Sequence, residues 1–192
     1  MMRSFPVFLG PAFGVIAVLC FVPLYLTAVS LDPNYVFFEN YLSDLGVGPG
    51  AWAFNSGLIL AGASILLFSY LGLRMSMPKD PSSLLGEILL ALSGLLLFNI
   101  GVFTEDYGDL HTVISYSFFL VLLAAIGVLA IAFRRTKTLG AVGVATSSVS
   151  FLVGAVLVGM GGNPFTETCA VLVALAWGSI VSVALLLSMR KG

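Results

Sequence analysis

The chain has 192 residues, of which 59% are hydrophobic and 9% charged, with a formal net charge of −1. A soluble domain carries about a quarter charged residues, so this composition excludes one: the surplus apolar surface needs lipid as its solvent. The near-neutral balance and the absence of a large basic cluster exclude a nucleic-acid partner.

Six apolar stretches read as membrane-spanning helices of one transmembrane domain over residues 1–192, each close to or above the about 20 residues that cross a bilayer core. The first, near 5–29, follows Met1-Met2-Arg3. It is too long for a signal-peptide core and lacks a small-residue cleavage site, so a retained span is expected. Pro11 is absorbed near its start, whereas Pro23 removes a backbone hydrogen bond inside it and predicts a bend. The connection 30–52 is the longest. Asp32-Pro33 reads as a cap followed by proline, and Gly46, Gly48 and Gly50 close the segment. Between them Tyr35, Phe38, Tyr41, Leu42 and Leu45 share one side at helical spacing, with Asn40, Ser43 and Asp44 on another. The pattern predicts a short helix lying in the interface, its aromatics at headgroup depth. A re-entrant loop packed among the spans is the alternative.

Span two, near 53–73, opens with Ala53-Phe54-Asn55. After it, Asp80 is a good helix cap with Pro81 at the first helical position. Span three, near 84–103, carries Glu87 in its first turns, where the helix dipole favours an anion and water is within reach. Asn99 sits about one turn from its far end. The segment Phe103-Thr-Glu-Asp-Tyr-Gly-Asp-Leu-His111 leads into span four, near 110–133. Asp109 is expected to cap that helix, with His111 in its first turn and Ser115 one turn further on the same face. Arg134-Arg135-Thr136-Lys137 reads as a topology anchor.

Spans five, near 139–160, and six, near 165–189, each carry a stripe of small residues. Thr146, Ser150 and Gly154 form one; Ala170, Ala174, Gly178 and Ser182 form the other. Such stripes let helices approach closely in lipid and predict a packed pair, or a homo-oligomer face. Cys20 and Cys169 fall inside spans with no CxxC pair, so unpaired thiols are expected, a bridge between spans one and six being the alternative.

Charge then orients the spans. All Lys and Arg residues, from Arg3 through Arg74, Lys79, Arg134, Arg135 and Lys137 to Arg190 and Lys191, fall in gaps on one side. The positive-inside rule puts that side and both termini in the cytoplasm, with the plasma membrane as the expected location. Asp32, Glu39, Asp44, Glu105, Asp106, Asp109, Glu167 and the single histidine, His111, map to the other side.

One histidine excludes a bis-histidine haem and an HExxH zinc site within the chain. A candidate divalent-cation site remains in Asp44, Glu105, Asp109 and His111. Asn40, Ser43, Asp44, Asn55 and Asn99 are candidates for orienting a ligand, and Ser43 or Ser115 with His111 is a candidate hydrolytic dyad. Asn55, Asn99, His111 and Ser115 lie at membrane depth and must find partners there.

Three patches carry a resemblance: Asn40-Tyr-Leu-Ser-Asp-Leu-Gly46, Ala53-Phe-Asn55, and Gly101-Val-Phe-Thr-Glu-Asp106 followed by His111. They resemble the prokaryotic membrane family catalogued as domain of unknown function 998, whose six-span layout covers the whole chain. The resemblance implies that Asn40, Ser43, Asp44, Asn55 and His111 belong to a polar outer cluster. It implies no activity, and the chain departs from a common family form by reading Thr104-Glu105 where proline stands. A more distant likeness is to the membrane hydrolases that include alkaline ceramidases. Those use several histidines around zinc across seven spans, which this chain does not match.

The expectation is an all-α six-helix transmembrane bundle whose outer face holds an acidic, polar pocket for a cation or a lipid headgroup, in a binding or accessory role. A membrane-embedded lipid hydrolase with His111 as base or metal ligand is the alternative. A small transporter is disfavoured, because no charge is placed at mid-bilayer and no matched pair of broken helices is evident.

Overall fold

A computed structural model describes residues 5–136 and 139–190, all of them helix, turn or loop. Arg3, Lys137 and Lys191, three of the topology anchors, lie outside the described residues. Among those described, six helices are long and apolar enough to cross a membrane: α1 (Phe5–Leu31), α2 (Ala51–Ser76), α3 (Pro81–Val102), α4 (Asp109–Phe133), α5 (Gly140–Gly159) and α6 (Pro164–Arg190). The chain is a multi-pass membrane protein. Each helix packs on its chain neighbours and α6 returns to α1, so the six close into a ring. The ring has a basic end, with Arg74, Lys79, Arg134 and Arg135, and an acidic end, where the α1–α2, α3–α4 and α5–α6 connections lie.

Close backbone contacts shape the ring. α1 runs without a break through Pro11 and Pro23. It meets α2 where that helix widens into a π turn, Phe68–Leu73. A Cβ on Gly10 would collide with the Leu71 carbonyl, and one on Gly72 would lie 3.0 Å from the Gly10 carbonyl oxygen. Hydropathy carries no signal for such a turn, because its residues are as apolar as the regular helix around them.

At the basic end the expected cap forms. Asp80 accepts from the backbone N–H groups of Ser82 at 3.0 Å and Ser83 at 3.3 Å, with Pro81 opening the helix. The Ser82 and Ser83 hydroxyls, with those N–H groups, hold the Asp80 carboxyl down at about 2. Arg135 reaches the same carboxylate at 3.3 Å, tying the α2–α3 connection to the end of α4. Glu87 differs from expectation. It is 5% exposed and turned from water, with one carboxylate oxygen 3.4 Å from the Arg74 guanidinium.

The α1–α2 connection also differs. The expected interfacial helix is reduced to one 3-10 turn, Leu42–Gly46. Asp32 starts no helix; its carboxylate accepts from the Asn34 N–H at 3.1 Å in a local turn. Phe38 adopts a φ of 69°, a left-handed conformation that interrupts the helical spacing. Leu42, Leu45 and Gly46 are buried, and the turn packs against α2 and α6. Their apolar side is covered by the bundle rather than by lipid, as the re-entrant alternative has it.

Spans five and six pack on each other as expected, but their small-residue stripes do not all lie in that contact. Ser182 packs on Gly14 of α1, and a Cβ on Gly178 would meet nothing within 4 Å. α5 leans onto α4, where Gly127 faces the Phe151 ring and Gly154 faces Leu123. One buried link, Trp177 Nε1 donating to Ser147 Oγ at 2.9 Å, joins α5 to α6. Ser150, Gly154, Ala170 and Ala174 are left lining a void. Cys20 and Cys169 are both free.

Candidate functional site

The void is a cavity of about 330 Å³ between α4, α5 and α6, reached at its top by Tyr41 and Ser43 of the α1–α2 connection. Its body is apolar, walled by Phe119, Leu122, Leu123, Ile126, Leu157 and Val173. Its acidic end is polar, with Ser43, Glu105, His111, Ser115, Thr166 and Glu167. Tyr116, Leu120 and Val158 also line it and are exposed on the outside of the bundle, so the cavity reaches the lipid-facing surface between helices.

Local sequence positions these groups. Asn163 and Thr166 cap α6 reciprocally: the Thr166 N–H donates to Asn163 Oδ1 and the Asn163 N–H to Thr166 Oγ1, both at 3.0 Å. Helical spacing then puts Glu167, Ala170 and Ala174 on one face, toward the cavity. The Glu167 carboxylate accepts from the Leu42 N–H at 2.7 Å, and the Tyr41 hydroxyl donates to the Gly162 carbonyl at 3.4 Å. These two bonds clasp the 3-10 turn over α6. From the other side Asn55 Nδ2 donates to the Gly46 carbonyl at 2.8 Å.

The α3–α4 connection supplies the rest. Glu105–Tyr107 forms a 3-10 turn, and Gly108 follows with a φ of 56° that a side chain would disfavour. Gly108, not Asp109, occupies the cap position of α4; Asp109 is exposed in the first turn and makes no capping bond. The reversal brings the Phe103 carbonyl over the helix start, where His111 Nδ1 donates to it at 2.7 Å. A carbonyl only accepts, so Nδ1 carries a proton; whenever the ring is neutral, Nε2 is the acceptor. Ser115 Oγ lies 3.3 Å from Nε2 and donates to it in the neutral form of the ring.

Burial pushes the Glu105 carboxyl above its ordinary 4.5, the Asp44 carboxylate adds repulsion, and attraction to His111 offsets part of this. The folded state therefore binds this proton more tightly than the unfolded chain. The contribution of Glu105 to stability falls as pH rises from 4.5 through the raised value. Asp80 acts oppositely and in a separate window, its contribution being lost as pH falls from 3.8 toward about 2. Glu105→Gln is expected to melt higher than the parent at pH 7 and to flatten the stability profile just above 4.5. Parallel profiles for the two proteins in thermal melts would refute this.

The sequence candidates divide. Ser43, Glu105, His111 and Ser115 come together on the cavity, with Asp44 beside Glu105. Asp44 itself accepts from the Tyr41 N–H at 3.0 Å. Asn40 and Asn55 brace the loop: the Asn40 side chain accepts from the Val36 N–H at 2.8 Å, and Asn55 holds Gly46. The Asn99 amide donates back to Leu95 of its own helix at 2.8 Å. Asp109 stands outside the lining. Among the described residues no three His, Cys, Asp or Glu side chains converge as a ligand set. Glu167 is the site residue that sequence reasoning missed. Its signal was a capping pattern, Asn163-Pro164-Phe165-Thr166, followed by an acid on the same face as the small stripe.

The family model described as "Protein of unknown function (DUF998)" matches residues 15–185, nearly the whole chain. No curated protein and no solved structure matches.

Proposed function

We propose that this chain, which belongs to the DUF998 family, holds a membrane lipid in the cavity between α4, α5 and α6. The headgroup sits at the acidic end and the acyl chain lies along the apolar walls. The observation that carries this reading is the division of one cavity into a polar end and an apolar body, open between helices. Its size falls within the about 300–1,000 Å³ of small-molecule sites.

The headgroup follows from charge. Glu105 and Glu167 line the polar end with Asp44 behind them, and no Lys or Arg lies in the connections there. Carboxylates in a poorly screened site repel an anion and attract a cation. The ligand is therefore a lipid bearing an amine or hydroxyl groups, rather than a phosphate-headed one; the amine takes the place of the cation that Asp44 and Glu105 would otherwise hold. The basic residues at the opposite end support a cytoplasmic position for that end. The cavity mouth then lies in the outer leaflet of the cell membrane, and the role is binding or accessory.

Ala174→Phe places a ring in the apolar body, two helical turns along α6 from Glu167. Lipid mass spectrometry of purified protein is expected to find an amine- or hydroxyl-headed lipid on the parent and at least a tenfold loss in the variant, about 1.4 kcal/mol of binding. Equal lipid on both proteins would reject the cavity as the site.

A further inference from the structure

We infer that Ser115 is an acyl-accepting nucleophile, with His111 as its general base, acting on a lipid ester seated in the same cavity. This rests on the lipid reading and adds a reaction to it.

The hydrogen bonding of Ser115 sets it apart. Serines inside helices ordinarily donate back to a carbonyl three or four residues earlier. Ser64, Ser93, Ser179 and Ser188 do so here, donating to Leu60, Leu90, Leu175 and Leu185. Ser115 donates instead to the imidazole of His111, while lining the cavity. The base is itself oriented, because the 2.7 Å bond from Nδ1 to the Phe103 carbonyl fixes the ring and its tautomer. Nucleophile, base and orienting group thus follow one another in the order that activates a serine, with a main-chain carbonyl in the third place. Glu105 lines the same polar end of the cavity as His111, and a carboxylate there favours the imidazolium that forms when Ser115 gives up its proton.

The chemistry balances without a further reagent. Ser115 Oγ attacks the ester carbonyl while its proton passes to His111 Nε2. The tetrahedral intermediate collapses, the ester C–O bond breaks, and the Nε2 proton goes to the departing alcohol. Water from the acidic end then attacks the acyl-serine, returns one proton through Nε2 to Ser115, and releases the fatty acid. The apolar body of the cavity holds the acyl chain through both halves.

The test uses a long-chain alkyl fluorophosphonate on purified full-length protein, with the modified residue found by peptide mass spectrometry and bound lipid measured on the same samples. Three proteins are compared: parent, Ser115→Ala and His111→Asn. The asparagine amide can still donate to the Phe103 carbonyl but offers no base at the Nε2 position, so the α3–α4 turn is kept; matched melting temperatures verify this. The parent is expected to be labelled on Ser115, Ser115→Ala not at all, and His111→Asn about a hundredfold more slowly or less. A parent that carries lipid but leaves Ser115 unlabelled overturns the nucleophile and leaves lipid binding standing. Labelling of His111→Asn at the parent rate overturns the base. A parent that labels but carries no lipid supports the dyad and rejects the binding reading beneath it.

Discussion

Gly62→Leu is expected to prevent the bundle from forming, while a side chain added at Gly178 leaves it intact. A Cβ on Gly62 would lie 2.5 Å from the Phe98 backbone nitrogen and 2.6 Å from the Gly94 carbonyl oxygen. One on Gly94 would in turn lie 3.0 Å from the Gly62 carbonyl oxygen. The obstacle is main chain on both sides, so no rotamer change relieves it and α2 must move off α3. Overpacking that side chains can absorb costs about 1–3 kcal/mol, and a backbone clash at a helix crossing belongs at or above the top of that range. Because α2 and α3 also carry the buried Phe54, Leu58, Leu90 and Leu97, separating them exposes core rather than a rim. At Gly178 a Cβ meets nothing within 4 Å. Gly178→Ala there is expected to gain up to about 1 kcal/mol of helix propensity. Yield of monodisperse protein and thermal melts in detergent read both variants. A Gly62→Leu protein with the parent's melting temperature would show that the two helices do not cross there.

The second large effect lies at the basic end. Arg74→Ala is expected to destabilise the protein by about 3 kcal/mol, the lower end of the range for breaking a buried ion pair. The lower end applies because the Arg74 side chain is 37% exposed, so solvent screens it from one side. Glu87 has no such relief: one carboxylate oxygen depends on Arg74 and the other is buried without a partner. Removing the cation leaves that charge stranded in an apolar surrounding. Glu87→Gln should therefore restore much of the loss when combined with Arg74→Ala, since the amide needs hydrogen bonds but no counter-charge. A double variant as unstable as Arg74→Ala alone would refute the coupling. The pair is remote from the cavity, so lipid content per folded molecule is expected to stay at the parent level.

These two cases mark what a one-dimensional reading can and cannot reach. Gly62 and Gly178 look alike in sequence, each a glycine inside an apolar run. Only the rotation of each helix about its axis, set by its neighbours, puts one at a crossing and the other beside empty space. Glu87 was readable as an acid near a helix start; which way it points depends on where α2 brings Arg74. The same holds for the cavity. The stripes of Ser150 and Gly154 on α5 and of Ala170 and Ala174 on α6 were visible as period-four patterns. Whether small residues mean contact or space depends on the third body, α4, against which α5 leans.

Sequence alone determined the six spans and the division of the charged side chains between opposite sides, because these follow from local quantities. Transfer into lipid is a sum over about 20 neighbouring residues, and each cap is decided within four. Asp80-Pro81 and Asn163-Pro164 open their helices as that local chemistry requires. Tertiary structure alone decided which polar groups meet. His111 finds Phe103 and Ser115 within its own neighbourhood, yet Glu167 reaches the loop turn at Leu42 across 125 positions of chain. That meeting requires the ring of helices to close, α6 returning to α1. No window of residues carries that information, since it belongs to how all six helices share one core.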